Sequence, residues 1–257
     1  MLHARMKSIL TFLFLTMSAV IVSGEIASAN GSEITSRAAP ANDAPQIDSG
    51  EGEPRILALG DSMMAWHLVS RNSIADVLGR VLGEPVENRA MGGARILYGL
   101  PISGAIGMNI TKQYRGEAVD WVVINGGGND LWLGCGCGAC ERKMNRMISA
   151  GGTAGAIPAL THEIRQKGAR VVYLGYLRSP GVDSMIDSCR ELGDAFEARV
   201  ANMVRAMDGV YFLDLSRLVP EGDRSFHGAD MIHPSKKGSR VIGQKLADLI
   251  RQVDETR

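Results

Sequence analysis

The chain has 257 residues, and its 28 lysine and arginine residues are balanced by 28 aspartate and glutamate residues. A chain of this length accommodates one α/β domain with a sizeable core. The formal net charge of zero disfavours nucleic acid as a partner, because phosphate binding requires a clustered excess of basic side chains. Four cysteines are too few for a miniature scaffold built on disulfides, so the fold depends on an ordinary hydrophobic core.

The N-terminal segment has the pattern of an export signal. Arg5 and Lys7 precede an apolar stretch over residues 8–22, and Ala27-Ser28-Ala29 fits a signal-peptide cleavage site. The apolar stretch is shorter than the roughly 20 residues that a bilayer-spanning helix needs, and an uncleaved anchor is the alternative. We therefore predict a signal peptide over residues 1–29, export to the periplasm or the extracellular space, and no stable transmembrane segment after processing.

The rest of the chain divides into a linker and one domain. Residues 30–53 are rich in Ala, Pro, Ser, Gly and Asp without periodic apolar spacing, which predicts a disordered linker. From residue 54 to residue 257, strand-like and helix-like patterns alternate. Short apolar runs predict strands at residues 55–60, 119–124, 170–175 and 210–213, and a weaker pattern at residues 85–90 predicts one more. Helical spacing of apolar residues predicts helices around residues 68–81, 157–164, 192–207 and 242–253. Because strands alternate with helices and the apolar runs are continuous rather than alternating, we expect an α/β fold with a parallel sheet covered on both faces.

Polar residues follow the predicted strands at the sheet edge where such folds bind ligands. Gly60-Asp61-Ser62 follows the first predicted strand, Gly92-Gly93 the second, and Gly127-Gly128-Asn129-Asp130 the third. Asp230 and His233 precede the last predicted helix. The segment after Ser62 lacks the second glycine of the G-x-S-x-G nucleophile elbow, which disfavours an α/β-hydrolase.

These residue types suit nucleophilic catalysis by a serine. Pro234 keeps His233 out of the helix, so Asp230 can accept a hydrogen bond from Nδ1 while Nε2 faces Ser62 as a base. His227 is a rival base. The side-chain amide of Asn129, with backbone N–H groups of Ser62 and Gly93, is a candidate oxyanion hole.

In their order and spacing, these blocks resemble the motifs of the SGNH (GDSL-type) hydrolases, and the resemblance extends over residues 55–253. It implies a flavodoxin-like, three-layer α/β/α fold with a central five-stranded parallel sheet, and a Ser–His–Asp mechanism on esters without metal or cofactor. Carried over residue by residue, Ser62 is the nucleophile, His233 the base and Asp230 its orienting carboxylate. Ser62, Gly93 and Asn129 form the oxyanion hole.

The resulting hypothesis is an exported serine ester hydrolase that works through an acyl-enzyme. Its substrate is a small acyl ester or an acylated glycan or lipid, as for a carbohydrate or peptidoglycan O-acetylesterase, a lipase or a thioesterase. An O-acyltransferase with the same triad is one alternative, and a non-catalytic envelope- or glycan-binding protein on the same fold is another. The loops at residues 94–113, 131–155 and 177–189 are expected to shape the pocket.

The four cysteines of the chain lie near the predicted site. Cys135, Cys137 and Cys140 follow Asn129, and Cys189 lies about 50 residues further on. In an exported chain this pattern favours two disulfides, with three possible pairings, over a zinc site or free thiols.

Two other features near the same turn have structural interpretations. Trp132 is expected to wall the acyl pocket. Asp61 and Asp130 are interpreted as carboxylates that hold their turns rather than as the acid and base of a glycosidase.

Overall fold

Five strands form one parallel sheet in the computed structural model, which describes residues 55–182 and 184–254. The strands are β1 (Ile56–Leu59), β2 (Val86–Asn88), β3 (Trp121–Ile124), β4 (Arg170–Leu174) and β5 (Val210–Leu213). They are arranged in the order β2-β1-β3-β4-β5, and every neighbouring pair is parallel. This is the flavodoxin-like order, and it confirms the predicted fold class. The predicted signal peptide and linker lie outside the described residues.

Helices cover both faces of this sheet. They are α1 (Ser62–Ala65), α2 (Ile74–Leu82), α3 (Pro101–Ser103), α4 (Gly128–Cys135), α5 (Glu141–Met147), α6 (Ala156–Gln166), α7 (Arg190–Ala206) and α8 (Lys236–Val253). A π-helical turn follows α3 at Gly104–Met108, and 3-10 turns lie at Ile110–Lys112, Asp187–Cys189 and Arg224–Phe226. Alternate strand residues point to opposite faces, so Leu57 and Leu59 pack with α5, α6 and α7, whereas Ile56 and Ala58 pack with α2 and α8.

The boundaries of the helices follow from local capping. Ser73 starts α2 because its hydroxyl accepts from the Asp76 N–H while the Asp76 carboxylate accepts from the Ser73 N–H. The sequence pattern places Leu68 on the same helical face as the residues of α2. The structure instead ends α1 at Ala65, and Leu68 is 41% exposed in the turn before the Ser73 cap. The helical spacing of apolar residues continues from Leu68 into α2, but the capping box of Ser73 and Asp76 starts a separate helix.

Two disulfides lie after β3, and one of them reaches the segment after β4. Cys135 is bonded to Cys140 within the turn that follows α4, and Cys137 is bonded to Cys189 at the start of α7. This selects one of the three pairings left open by the sequence, and the sulfur atoms are therefore not available as thiolate ligands. Within the described ranges no helix is both long and apolar enough to cross a bilayer.

Candidate active site

The candidate nucleophile lies on a tightly held turn between β1 and α1. Ser62 is the first residue of α1, and the preceding Asp61 caps this helix by accepting from the Met63 N–H at 3.0 Å. Gln113 fixes Gly60 from both sides, since its side chain accepts from the Gly60 N–H at 2.7 Å and donates to the Gly60 carbonyl at 2.9 Å. These bonds hold Ser62 at the carboxyl end of β1.

His233 bonds to Ser62 and Asp230, as the sequence predicts. His233 Nε2 is 2.8 Å from Ser62 Oγ, and Nδ1 is 2.6 Å from Asp230 Oδ2. The other carboxylate oxygen of Asp230 accepts from the N–H groups of Ile232 and His233 at 3.1 and 3.0 Å. The turn therefore wraps around the carboxylate, with Met231 in the left-handed region at a φ of 56°.

The charge of Asp230 determines which ring nitrogen of His233 carries a proton. Burial raises the pKa of Asp230, but hydrogen bonds from the His233 ring and from the His233 and Ile232 backbone outweigh it and leave the pKa below its ordinary value. An ionised carboxylate only accepts hydrogen bonds, so Nδ1 must be the donor to it. Nε2 is then the acceptor for the Ser62 hydroxyl proton, which is the tautomer that a general base requires.

Trp66 packs against the face of the His233 imidazole, and no sequence motif predicts this contact. Its ring is stacked on that of His233 with centroids 3.9 Å apart and an interplanar angle of 6°. The next residue, His67, contacts the carbonyl of Pro234 through Nε2 at 3.1 Å. The rival base His227 is buried, its pKa is lowered by burial, and its Nδ1 has no partner within the described residues. His233 is thus the histidine that the structure bonds to Ser62.

The predicted oxyanion residues lie on two turns that are bonded together. Asn129 is 9% exposed at the start of α4, and its side-chain amide donates to the carbonyl of Ala94 at 3.0 Å. Ala94 directly follows Gly93, whose φ of 76° favours glycine. The Asp130 carboxylate reinforces this link by accepting from two N–H groups of the residue 96–97 loop at 2.8 Å each. Asp130 therefore holds a loop in place, as its sequence interpretation expects.

Next to Ser62 and His233 is a largely apolar cavity of about 130 Å³. The apolar side chains that line it are Met63, Leu131, Trp132, Leu177 and Ile186. Asn129 lines the same cavity, and Gly93 is not among the described residues that line it. Trp132 thus lines the cavity next to Ser62, and its role as the wall of an acyl pocket stays a prediction.

Asp61 is a buried carboxyl group in the same cavity. It is 2% exposed, and burial raises its pKa to about 6 against the lowering effect of hydrogen bonds from Tyr176 and Met63. The folded chain therefore binds this proton more tightly than the unfolded chain does. As the pH rises from about 4 to about 6, ionisation costs the folded state on the order of 3 kcal/mol. Carboxyl groups whose pKa is strongly raised by burial in a cleft are found most often at functional sites.

Comparison with known proteins agrees with the fold and identifies the family. A family model described as GDSL-like lipase/acylhydrolase matches residues 58–241. No curated protein matches the chain significantly.

Among solved structures, a protein of Slackia heliotrinireducens described as an SGNH hydrolase is 24% identical, with a TM-score of 0.51 over 77% of this chain and 98% of that chain. A family two carbohydrate esterase from Clostridium thermocellum in complex with cellohexaose is 22% identical, with a TM-score of 0.52 over 78% and 64%. An acetyl xylan esterase from Butyrivibrio proteoclasticus is 13% identical, with a TM-score of 0.52 over 77% and 64%. These structural likenesses show the shared fold. The match of the family model over most of the chain shows that this protein is an ester hydrolase of the GDSL-like lipase/acylhydrolase family, the SGNH hydrolases.

Proposed function

We propose that this protein is an exported serine esterase that releases short acyl groups through an acyl-enzyme on Ser62. The observation that carries the proposal is the continuous chain of hydrogen bonds from Ser62 Oγ through His233 to Asp230, at 2.8 and 2.6 Å. Export is supported by two disulfides, which persist mainly in oxidising compartments, and by the signal-like segment over residues 1–29.

The reaction proceeds in two proton-balanced halves. Ser62 Oγ attacks the ester carbonyl carbon while His233 Nε2 takes the hydroxyl proton, and the imidazolium then protonates the departing alkoxide. The second half repeats these steps with water as the nucleophile, which releases the carboxylic acid and restores Ser62. Asp230 remains ionised and stabilises the imidazolium in both halves.

In the same proposal, three donors stabilise the oxyanion. The Ser62 N–H stands at the first position of α1, where a helix has no partner for its amide, and Asn129 contributes its side-chain amide. Gly93 contributes its N–H from the turn that Asn129 bonds through Ala94. Each such donor typically contributes about 10²–10³ in rate.

The cavity beside Ser62 sets the size of the acyl group. Its volume of about 130 Å³ is close to that of an engineered apolar cavity of about 150 Å³ that holds one benzene molecule. We therefore assign it acyl groups of up to about six carbons. Each methylene buried contributes about 0.8 kcal/mol, so kcat/KM is expected to rise up to about 4-fold per added methylene until the cavity is full.

The test uses p-nitrophenyl esters, in which the alcohol is constant and the acyl chain is extended from acetyl to palmitoyl. We expect hydrolysis with an optimum near butanoyl to hexanoyl, loss of turnover in Ser62→Ala, and a fluorophosphonate adduct on Ser62. No adduct and no hydrolysis would contradict the esterase and favour a non-catalytic binding protein. A product that carries the acyl group on an added alcohol instead of water would indicate an O-acyltransferase.

The alcohol half of the natural ester is tested separately. The two esterase structures described above act on carbohydrates by their own descriptions, and an acylated glycan is the corresponding substrate proposed for this chain. Acylated xylan and peptidoglycan are compared with a lysophospholipid of matched acyl length. Faster release from the lipid would overturn the glycan assignment without affecting the role of Ser62.

A further inference from the structure

A tyrosine from the loop after β4 bonds to the two turns that carry Ser62 and Asn129. The Tyr176 hydroxyl donates to Asp61 Oδ2 at 2.6 Å and accepts from the Gly128 N–H at 2.9 Å. Asp61 immediately precedes Ser62, and Gly128 immediately precedes Asn129. We infer that Tyr176 is a positioning residue that fixes the nucleophile and the oxyanion donor relative to each other, an inference that rests on the proposed function.

The main chain of Tyr176 is itself held by a buried ion pair. Its N–H donates to Glu197 Oε1 at 2.7 Å, and its carbonyl accepts from Arg178 Nη1 at 3.2 Å. Arg178 also bonds to Glu197 Oε2 at 2.5 Å, and Glu197 is only 5% exposed on α7. The ring of Tyr176 thus extends from a backbone that is anchored to a long helix. The backbone of Tyr176 is therefore anchored outside the two turns that its hydroxyl joins.

The glycine before Asn129 is matched to this ring. A Cβ atom at Gly128 would lie 2.9 Å from Tyr176 Cζ, closer than real Cβ contacts occur. Because the N–H of Gly128 must approach the hydroxyl to donate to it, any side chain at this position displaces the ring or the turn. The Gly-Gly-Asn segment after β3 therefore serves the Tyr176 contact as well as the turn geometry.

Tyr176 also acts on the charge of the turn that carries Ser62. Asp61 is surrounded by the Tyr176 hydroxyl, His233 and Asp130, and its pKa of about 6 is lowered by the first two and raised by burial and by Asp130. Ionised Asp61 attracts the imidazolium of His233 that forms during the reaction. Loss of the hydroxyl removes a donor to the carboxylate, so the pKa of Asp61 rises above about 6 and less of it is ionised near neutral pH.

The test compares two tyrosine-to-phenylalanine variants with wild type. Tyr176→Phe keeps the ring and removes the hydroxyl. We expect kcat to fall on the order of 10-fold with KM changed less than about 2-fold, and the acid limb of the kcat profile to shift, because the ionisation of Asp61 changes beside the base His233. Tyr173→Phe is the matched control, because the Tyr173 hydroxyl donates to the Gly126 carbonyl at 2.8 Å in the same region. It is expected to keep the kcat and pH profile of wild type.

Each outcome bears on a different claim. If Tyr176→Phe keeps the wild-type kcat and acid limb, the positioning role is overturned while the esterase stands. The role is also overturned if Tyr173→Phe shows the same losses, since any buried hydroxyl would then suffice. If Tyr176→Phe does not fold, Gly128→Ala replaces it, and the same fall in kcat and shift of the acid limb are expected. Wild type that neither hydrolyses esters nor reacts with fluorophosphonate overturns the esterase, and the positioning role with it.

Discussion

The disulfide between Cys137 and Cys189 is expected to contribute to stability and to substrate binding. It closes a loop of 52 residues, for which the chain-entropy model gives about 4 kcal/mol. This is a large share of the roughly 5–15 kcal/mol that stabilises a typical domain. The disulfide between Cys135 and Cys140 closes only 5 residues, and the same model gives about 2 kcal/mol for it.

The longer link also joins two walls of the cavity. Cys189 lines the cavity together with the adjacent Arg190, while Cys137 lies just beyond α4, which carries Leu131 and Trp132. Without the link, the segment before α7 is free to move away from α4. We therefore expect the double variant Cys137→Ser, Cys189→Ser to raise KM several-fold, with a smaller change in kcat.

Urea denaturation followed by circular dichroism, with kinetics on a butanoyl ester, measures both effects. For a slope of about 2 kcal/mol per molar urea, the midpoint of this variant falls by about 2 M. The matched control Cys135→Ser, Cys140→Ser should lose about half as much and keep its KM. Limited reduction is expected to open the bond between Cys137 and Cys189 first, because both of its cysteines are half-buried whereas Cys140 of the other bond is 1% exposed. Its effects on stability and KM should then match those of Cys137→Ser, Cys189→Ser. Equal losses of stability in the two variants, or an unchanged KM in the first, would refute this reasoning.

Three further changes test the site. Asp230→Asn should lower kcat by as much as about 10⁴-fold in steady-state assays, because an amide does not hold His233 in the required tautomer; an unchanged kcat contradicts that role. Trp66→Ala should lower kcat on the order of 10-fold while Trp66→Phe retains most of it, because the stacked ring orients the imidazole; equal kinetics of the two variants argue against stacking. Asp61→Asn should gain stability relative to wild type as the pH rises from 4 to 7, because the variant has no carboxylate to ionise. Chemical denaturation at both pH values measures the free energy of unfolding of the two proteins. The same difference between them at pH 4 and pH 7 would refute the expected cost of ionising Asp61.

The fold was predictable because four of its five strands are apolar on both faces, β2 being the exception. All five predicted segments contain a strand, and the apolar stripes of α6, α7 and α8 are buried or half-buried against the sheet, as their spacing predicts. The predicted helix around residues 68–81 was wrong at its start, since periodicity cannot show where one helix ends and a capped one begins. His67 at a φ of 65° lies in that turn, and nothing in its neighbours' hydropathy signals this.

The candidate triad was predictable for a different reason. Ser62 follows β1, and Asp230 and His233 lie in the loop before α8, so a parallel sheet favours their meeting at the edge where ligands bind. Asp230 and His233 are also only three residues apart, so their contact is local. The contact between Ser62 and His233 spans 171 residues. It could be predicted only because the residue types around Ser62 and His233 form recognisable motifs.

Tyr176, Trp66 and Gln113 were missed because each is an isolated residue without a motif. Tyr176 meets Asp61 across 115 residues, and Gln113 meets Gly60 across 53. Tyr176 and Gln113 act through a hydroxyl and an amide that reach a neighbouring turn, and Trp66 acts through a ring stacked on His233. No local sequence pattern records such contacts. A signal was nevertheless present in the consecutive glycines before Asn129. Glycine at position 128 is required by the approach of the Tyr176 ring, so such a run indicates that another group comes close.

The missed residues explain how this fold tolerates a buried charge beside its nucleophile. Ionisation of Asp61 costs stability as the pH rises from about 4 to about 6, because burial of the carboxylate raises its pKa. Tyr176 and the Met63 N–H supply the donors that the ionised form needs. The same bonds fix the turn on which Ser62 stands. Stability and activity therefore oppose each other at Asp61, and the hydroxyl of Tyr176 is the group that reduces the conflict.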